Sequence, residues 1–194
     1  MLFKKVGSVL LFFVLLCAGC IKEEYSYEGG LAQPIDSTTN PDTTTQIPIP
    51  SFACMLCHPN DAVQSMQWHF MYKGVTALCG LVTKAVLSPE KNALTFYGPS
   101  ACTIDTGLIM TVFLDTLLDQ DRVNIRAAQA VLQYYIKGSA NDAFRSKAPD
   151  LNFIIDRFVQ ETKTATGRFS GYTFTPTGER VSIETGRFNI TFSP

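Results

Sequence analysis

Residues 51–194 predict an all-β domain, an antiparallel β-sandwich or calycin-like barrel of about eight or nine strands. Three observations lead there. Short runs rich in aromatic and β-branched residues recur, each bounded by Gly, Pro, Asn or Asp, which is the spacing of strands and turns and not of βαβ units. Phe188, Ile190 and Phe192 alternate with Arg187, Asn189 and Thr191. That is the period of two of a half-buried strand. The dipeptides Thr177-Gly178 and Thr185-Gly186 stand where hairpin turns would close the last strands.

In chain order, Trp68, Phe70 and Tyr72 alternate with His69 and Met71, so the first strand carries three rings on one face. Leu81–Leu87 and Leu94–Tyr97 follow, with Ser88-Pro89-Glu90-Lys91-Asn92 as the turn between them. Leu108–Leu114 is apolar at nearly every position and is read as a central strand covered on both faces. Ala130–Ile136 and Phe153–Val159 are further strands. Ala127, Ala128, Ala130 and Val131 tolerate a helix over Arg126–Tyr135, whereas Tyr134, Tyr135 and Ile136 favour a strand. In a strand, Tyr134 and Tyr135 send their rings to opposite faces.

The 194 residues suffice for one such domain. With 46% hydrophobic and 17% charged residues, the composition is that of a chain that folds. Residues 1–19 carry two Lys and no acid, which leaves 14 basic against 17 acidic groups after them. No basic block interleaves with aromatics, so nucleic acid is not an expected partner. The sequence holds no G-x-S-x-G, no H-E-x-x-H and no P-loop. Asp105, Asp115, Asp119 and Asp121 cluster around Leu108–Leu114. They offer carboxylates of the kind a glycosidase uses, or oxygen ligands for calcium at Asp119-Gln120-Asp121. Turn acids are the commoner reading of both.

The amino terminus has its own logic. Lys4 and Lys5 precede the unbroken apolar run Val9–Leu16, and Ala18-Gly19 precede Cys20. This is a secretory signal, and its apolar run is too short to span about 30 Å of hydrocarbon as a helix. Residues 1–19 are therefore the expected signal peptide. Residues 20–50 are the expected tether, where Thr, Pro, Asp and Gly dominate and no apolar period persists. Residues 51–194 form the single β-domain.

Four cysteines remain in that domain: Cys54, Cys57, Cys79 and Cys102. An even number in an exported chain implies disulfides, with three connectivities open. The expected pairing is Cys79–Cys102, closing over the two adjacent strands, with Cys54–Cys57 as a tight local bridge. Two other readings share these residues. Cys54-Met55-Leu56-Cys57-His58 is a literal C-x-x-C-H, the attachment pattern of haem c, with Met66, His69 or Met71 as a distal ligand. Pro59-Asn60-Asp61 after His58 reads as a turn, where a c-type fold would have helix. The same pair with two distant thiolates is a loose zinc pattern.

Around Cys20 the sequence resembles the bacterial lipobox, although Cys17 stands where Leu is common. Lys22-Glu23-Glu24 is similar to the charged export signal that follows the lipidated cysteine in Bacteroidota surface lipoproteins. Asp36-Ser37-Thr38 and Asp42-Thr43-Thr44 resemble the O-glycan acceptor motif of that group, with Ser37 and Thr43 as acceptors. Residues 166–192 look like the closing hairpins of the same uncharacterised Bacteroidota surface lipoprotein family. The resemblance implies lipidation at Cys20, an outer-membrane and surface location, and an all-β fold. It implies no activity. The expected function is a non-enzymatic, lipid-anchored domain without a cofactor, which binds a glycan, a peptide or a partner envelope protein. The alternative is an electron carrier holding haem on Cys54, Cys57 and His58.

Overall fold

The structure, a computed structural model, describes residues 50–193. Cys20, Lys22, Glu23, Glu24, Ser37 and Thr43, with the signal peptide and tether, lie outside the described residues. Ten strands form, and no helix occurs among the described residues. They are β1 Gln67–Tyr72, β2 Thr76–Leu81, β3 Lys84–Leu87, β4 Ala93–Pro99 and β5 Thr106–Leu114. Then come β6 Arg122–Ile136, β7 Phe144–Arg145, β8 Leu151–Val159, β9 Thr164–Phe174 and β10 Arg180–Thr191.

All pairings are antiparallel, and seven of the ten join neighbours in sequence. β1 also pairs β10, which brings the two ends of the chain of strands together. β2 and β3 act as one bent strand. β2 pairs β1, β3 pairs β4, and a bridge from Gly80 to Ser100 ties the end of β2 to the end of β4. The Thr83 N–H donates to Tyr97 O at 2.9 Å across the bend. β7 and β8 likewise share one place in the order, covering different lengths of β6 and β9. The sheet therefore closes on itself as an up-and-down barrel with eight places around its circumference. Closure removes the free sheet edge that an open sheet would expose.

At eight places a barrel is just wide enough for its own side chains to fill it. Here they do. Trp68, Phe70, Phe96, Tyr134, Phe144, Phe153, Phe158 and Phe188 are each less than 2% exposed. Phe188 stacks on Phe153 with centroids 4.7 Å apart, and Tyr134 on Phe144 at 5.0 Å. Each fully buried ring of this kind contributes about 1.5–3 kcal/mol over an exposed one. Room for the rings comes partly from glycine. A Cβ at Gly167 would lie 2.6 Å from Phe188 Cζ, and one at Gly186 2.5 Å from Phe169 Cδ2. The interior is a packed core and not a calyx.

The period-two reading of the carboxyl end holds, with Phe188, Ile190 and Phe192 buried and Arg187 exposed. Several expectations need correction. Arg126–Tyr135 lies wholly in β6, because Ala130, Leu132 and Tyr134 point inward at period two while β5 pairs along the whole segment. Leu108–Leu114 is covered on one face only, since Phe113 remains 47% exposed on the outside. Thr185-Gly186 is no hairpin turn. The register of β10 against β9 shifts between Ile183 and Gly186, and Thr185 has φ of 48°, so the pair forms a β-bulge. Thr177-Gly178 does turn the chain, with Gly178 at φ of 86°, where a residue with a Cβ is disfavoured. The strand count rises to ten because the barrel bends at β2/β3 and divides one place between β7 and β8.

Candidate functional site

The cysteines pair differently from the expected connectivity. Cys54 is bonded to Cys102 and Cys57 to Cys79, with Cα–Cα distances of 5.4 and 5.6 Å. Both distances lie within the range a disulfide spans. The reason lies in β2, which begins at Thr76 and carries Cys79 opposite His69 on the outer face of the barrel. Residues 54–57 form a turn, closed by the Cys57 N–H donating to Cys54 O at 3.2 Å. The turn lies over that outer face, and each of its cysteines reaches a different partner. A small second core results outside the barrel, made of Cys54, Cys57, Met71 and Ala77.

His69 is sealed beneath this turn at 3% exposure. Its Nε2 lies 2.9 Å from His58 O. A carbonyl can only accept, so Nε2 carries the proton and donates it. Burial holds the imidazole below its usual pKa of 6.5, against the raising effect of the His58 carbonyl. The C-x-x-C-H motif is thus a clamp. Neither sulfur is free to add to a haem vinyl group, and the sulfurs sit in two separate bridges and not around a single zinc-sized point. His58 is exposed, and its N–H is donated to Asp61 Oδ2 at 2.9 Å. Among the described residues, no group of three or more His, Cys, Asp or Glu is arranged to hold a metal ion.

The turn acids serve the scaffold. Asp105 pairs with Lys137 at 3.6 Å and Asp119 with Arg122 at 3.4 Å. Asp121 Oδ1 accepts the Gln160 N–H at 2.8 Å, pinning the end of β8. Tyr134 and Tyr135 do diverge. Tyr134 is fully buried, its hydroxyl 3.5 Å from Thr106 Oγ1, and burial pushes its pKa up. Tyr135 lies on the other face, against Gly107.

A wide concavity lies elsewhere, at a rim of the barrel. It measures about 520 Å³, within the usual range for small-ligand sites, and is open to solvent. The β6–β7 loop supplies Asn141 and Asp142, β7 supplies Arg145, the following turn Lys147, and the β9–β10 hairpin Phe174 and Thr175. β7 is only two residues long, yet it is fixed firmly. The Ala143 N–H donates to Tyr134 O and the Ser146 N–H to Leu132 O, both at 2.8 Å, while Ser146 Oγ accepts the Leu132 N–H at 2.7 Å. This ladder sets Arg145 in one row with Gln133 on β6 and Phe174 on β9, and Phe174 in turn faces Arg180 on β10.

The hairpin wall is equally well determined. The Thr175 N–H donates to Glu179 O at 3.0 Å, and Thr175 Oγ1 accepts the Glu179 N–H at 3.1 Å. Asp142 is held by Gln133 Nε2, which donates to Oδ1 at 2.7 Å. Lys147 Nζ sits 4.8 Å from the centre of the Phe174 ring, and the Arg180 guanidinium 3.5 Å from that of Tyr172. The site is therefore an open cleft of mixed polar and apolar lining, with ring-supported Lys147 in its wall and ring-supported Arg180 beside it.

None of its residues was expected from the sequence. No strand was expected between Ile136 and Phe153, because a two-residue strand leaves no period to detect. A signal did exist beyond the hairpin turn. With Thr177-Gly178 as the turn and Thr173 and Val181 inward, Tyr172, Phe174 and Arg180 must share the outer face. Comparison of the chain with known family models, with curated proteins and with solved structures finds no match in any of the three.

Proposed function

We propose that the chain is a lipid-anchored protein of a bacterial envelope, displayed at the surface, whose barrel is a non-enzymatic module that binds a glycan in the rim cleft. The observation that carries this reading is the contrast between a filled interior and an open concavity on the rim that presents charged and hydrogen-bonding side chains. A barrel packed with its own rings has no room for a hydrophobic cargo, so ligand contact falls to the outside. The cleft offers the amide of Asn141 and the cations Arg145 and Lys147, a hydrogen-bonding set suited to a hydroxyl-rich ligand. Two disulfides fit an extracytoplasmic address, and the Ala18-Gly19-Cys20 sequence after an apolar run supports lipidation there.

A peptide or a partner envelope protein is a weaker fit. Strand addition of an extended peptide needs a free edge, and in the closed barrel only the short strands β2 and β3 have a side without ladder pairing. Three experiments test the reading. Cys20→Ala should move the chain from the membrane fraction to a soluble or mistargeted pool, and unchanged detergent partitioning would refute lipidation. Protease added to intact cells should release the domain by cutting within residues 26–50, and cleavage only after lysis would place the protein on the periplasmic side. Binding of the full chain to an array of envelope and extracellular polysaccharides should show retention on glycans that Thr175→Trp, which fills the cleft, abolishes.

A further inference from the structure

Resting on that reading, we infer that the rim cleft selects acidic polysaccharide, recognising carboxylate groups through Arg145 and Lys147 in its lining and through Arg180 beside it. The three cations come from three separate segments: β7, the turn after it, and β10. The barrel's row of cross-strand partners nevertheless brings them around one residue. Arg145 and Arg180 both pair with Phe174, and Lys147 lies over its ring. Among the described residues, none of the three has a carboxylate within 4.0 Å, although four other ion pairs form on the same surface. The acids nearby are already engaged. Asp142 accepts from Gln133, and Glu179 is bound to Lys73 at 2.7 Å. In a chain of net charge −1, a cluster of three unpaired cations is a local feature of this rim.

The aromatic rings decide between a neutral and an acidic sugar. A neutral sugar is held largely by stacking its C–H face on an exposed ring. Here Lys147 lies over a face of Phe174 and Arg180 over a face of Tyr172. The rings hold the cations, and the cations are left to hold the ligand. A guanidinium lying flat on a ring keeps its N–H groups pointing outward in their plane. That is the fork that meets a carboxylate in two parallel hydrogen bonds. Support by the ring also lowers the side-chain entropy lost when a ligand orders it. Nucleic acid would need those same ring faces as stacking platforms, and they are occupied.

The test titrates the full chain, in detergent, with tetragalacturonate and with a neutral tetrasaccharide of glucose, followed by calorimetry. Tetragalacturonate should bind at least tenfold more tightly than the neutral sugar. Arg145→Ala with Lys147→Ala should weaken it by twentyfold or more, and Arg180→Ala independently by fivefold or more. Arg180→Lys should not restore it, because an ammonium lacks the fork. Raising the salt from about 50 to 500 mM should weaken binding at the same site, as screening shortens to about 4 Å. Arg145, Lys147 and Arg180 are exposed and Thr175 is half-buried, so an unchanged guanidinium midpoint, read on Trp68, certifies the fold of each variant. Equal affinity for neutral and acidic tetramers, both lost in Thr175→Trp, would overturn the carboxylate inference and leave the glycan reading standing. A hexaglutamate peptide binding as tightly as tetragalacturonate would overturn it in favour of a protein partner. Binding of neither sugar, with no retention on the polysaccharide array, would remove both.

Discussion

Replacing Cys54 and Cys102 by Ser removes the bridge that ties the entry of the domain to the β4–β5 loop. The two cysteines are 48 residues apart, and restricting a free loop of that length in the unfolded chain stabilises the fold by about 4 kcal/mol. The inner bridge changes the sum. With Cys57–Cys79 closed, the 21 residues between them are bypassed, and the outer ring shrinks to about 27 residues and about 3.5 kcal/mol. An m-value of about 3 kcal/mol/M in guanidinium turns this into a midpoint shift of roughly 1 M. Trp68 is the only tryptophan and is 1% exposed, so its fluorescence reports the transition directly. Thiol titration of the unfolded variant should find no free cysteine, because Cys57 and Cys79 stay bridged. Cys54→Ser with Cys57→Ser should expose two free thiols, those of Cys79 and Cys102. If that second variant kept a bridge and wild-type stability, the local pairing Cys54–Cys57 would be correct and the crossed clamp wrong.

Three further outcomes follow from the packing. Phe188→Ala should cost about 3–5 kcal/mol, and lower the melting temperature by roughly 10–15 °C, because the ring is 2% exposed and stacked between Phe153 and Phe96. Gly186→Val should cost about 1–3 kcal/mol by overpacking, since its Cβ falls on the Phe169 ring; a neutral result would mean that the bulge relaxes freely. His69 should make stability fall on the acid side. Its folded pKa lies below 6.5 through burial, so the unfolded chain binds more protons in between. Stability is then full above about 6.5, declines as the pH falls through that window, and levels off beneath the folded pKa. Guanidinium midpoints between pH 7.5 and 5 should show the decline in the wild type, and His69→Gln should flatten it.

Much of the barrel was legible because alternation is imposed wherever one face is buried. Phe188, Ile190 and Phe192 face inward as their spacing requires, and Trp68, Phe70 and Tyr72 do the same. Legibility failed where a second layer or a bulge intervenes. His69 and Met71 look like a solvent face in the sequence, yet the cysteine turn covers them, and nothing in β1 announces that cover. Ala127 and Ala128 read as helix because small residues are tolerated at an irregularity, here the register shift of β6 against β5. The crossed disulfides were hidden for a related reason. Connectivity depends on which outer face the turn occupies, and sequence proximity favours the local pair. The rim site was least visible, since Arg145, Lys147 and Phe174 meet only after β6, β7 and β9 have been laid side by side.

The central claim is that the barrel is a solid scaffold and that its ligand sits outside, on the rim. Amide and side-chain chemical shifts of the isotope-labelled full chain, followed during titration with tetragalacturonate, test this most directly. The account predicts changes confined to Asn141, Arg145, Lys147, Phe174, Thr175 and Arg180, with the Trp68 indole and the rings of Phe96, Phe153 and Phe188 unmoved. Shifts centred on those interior rings, with the rim silent, would contradict it, because they would mean that the ligand enters a barrel described here as full.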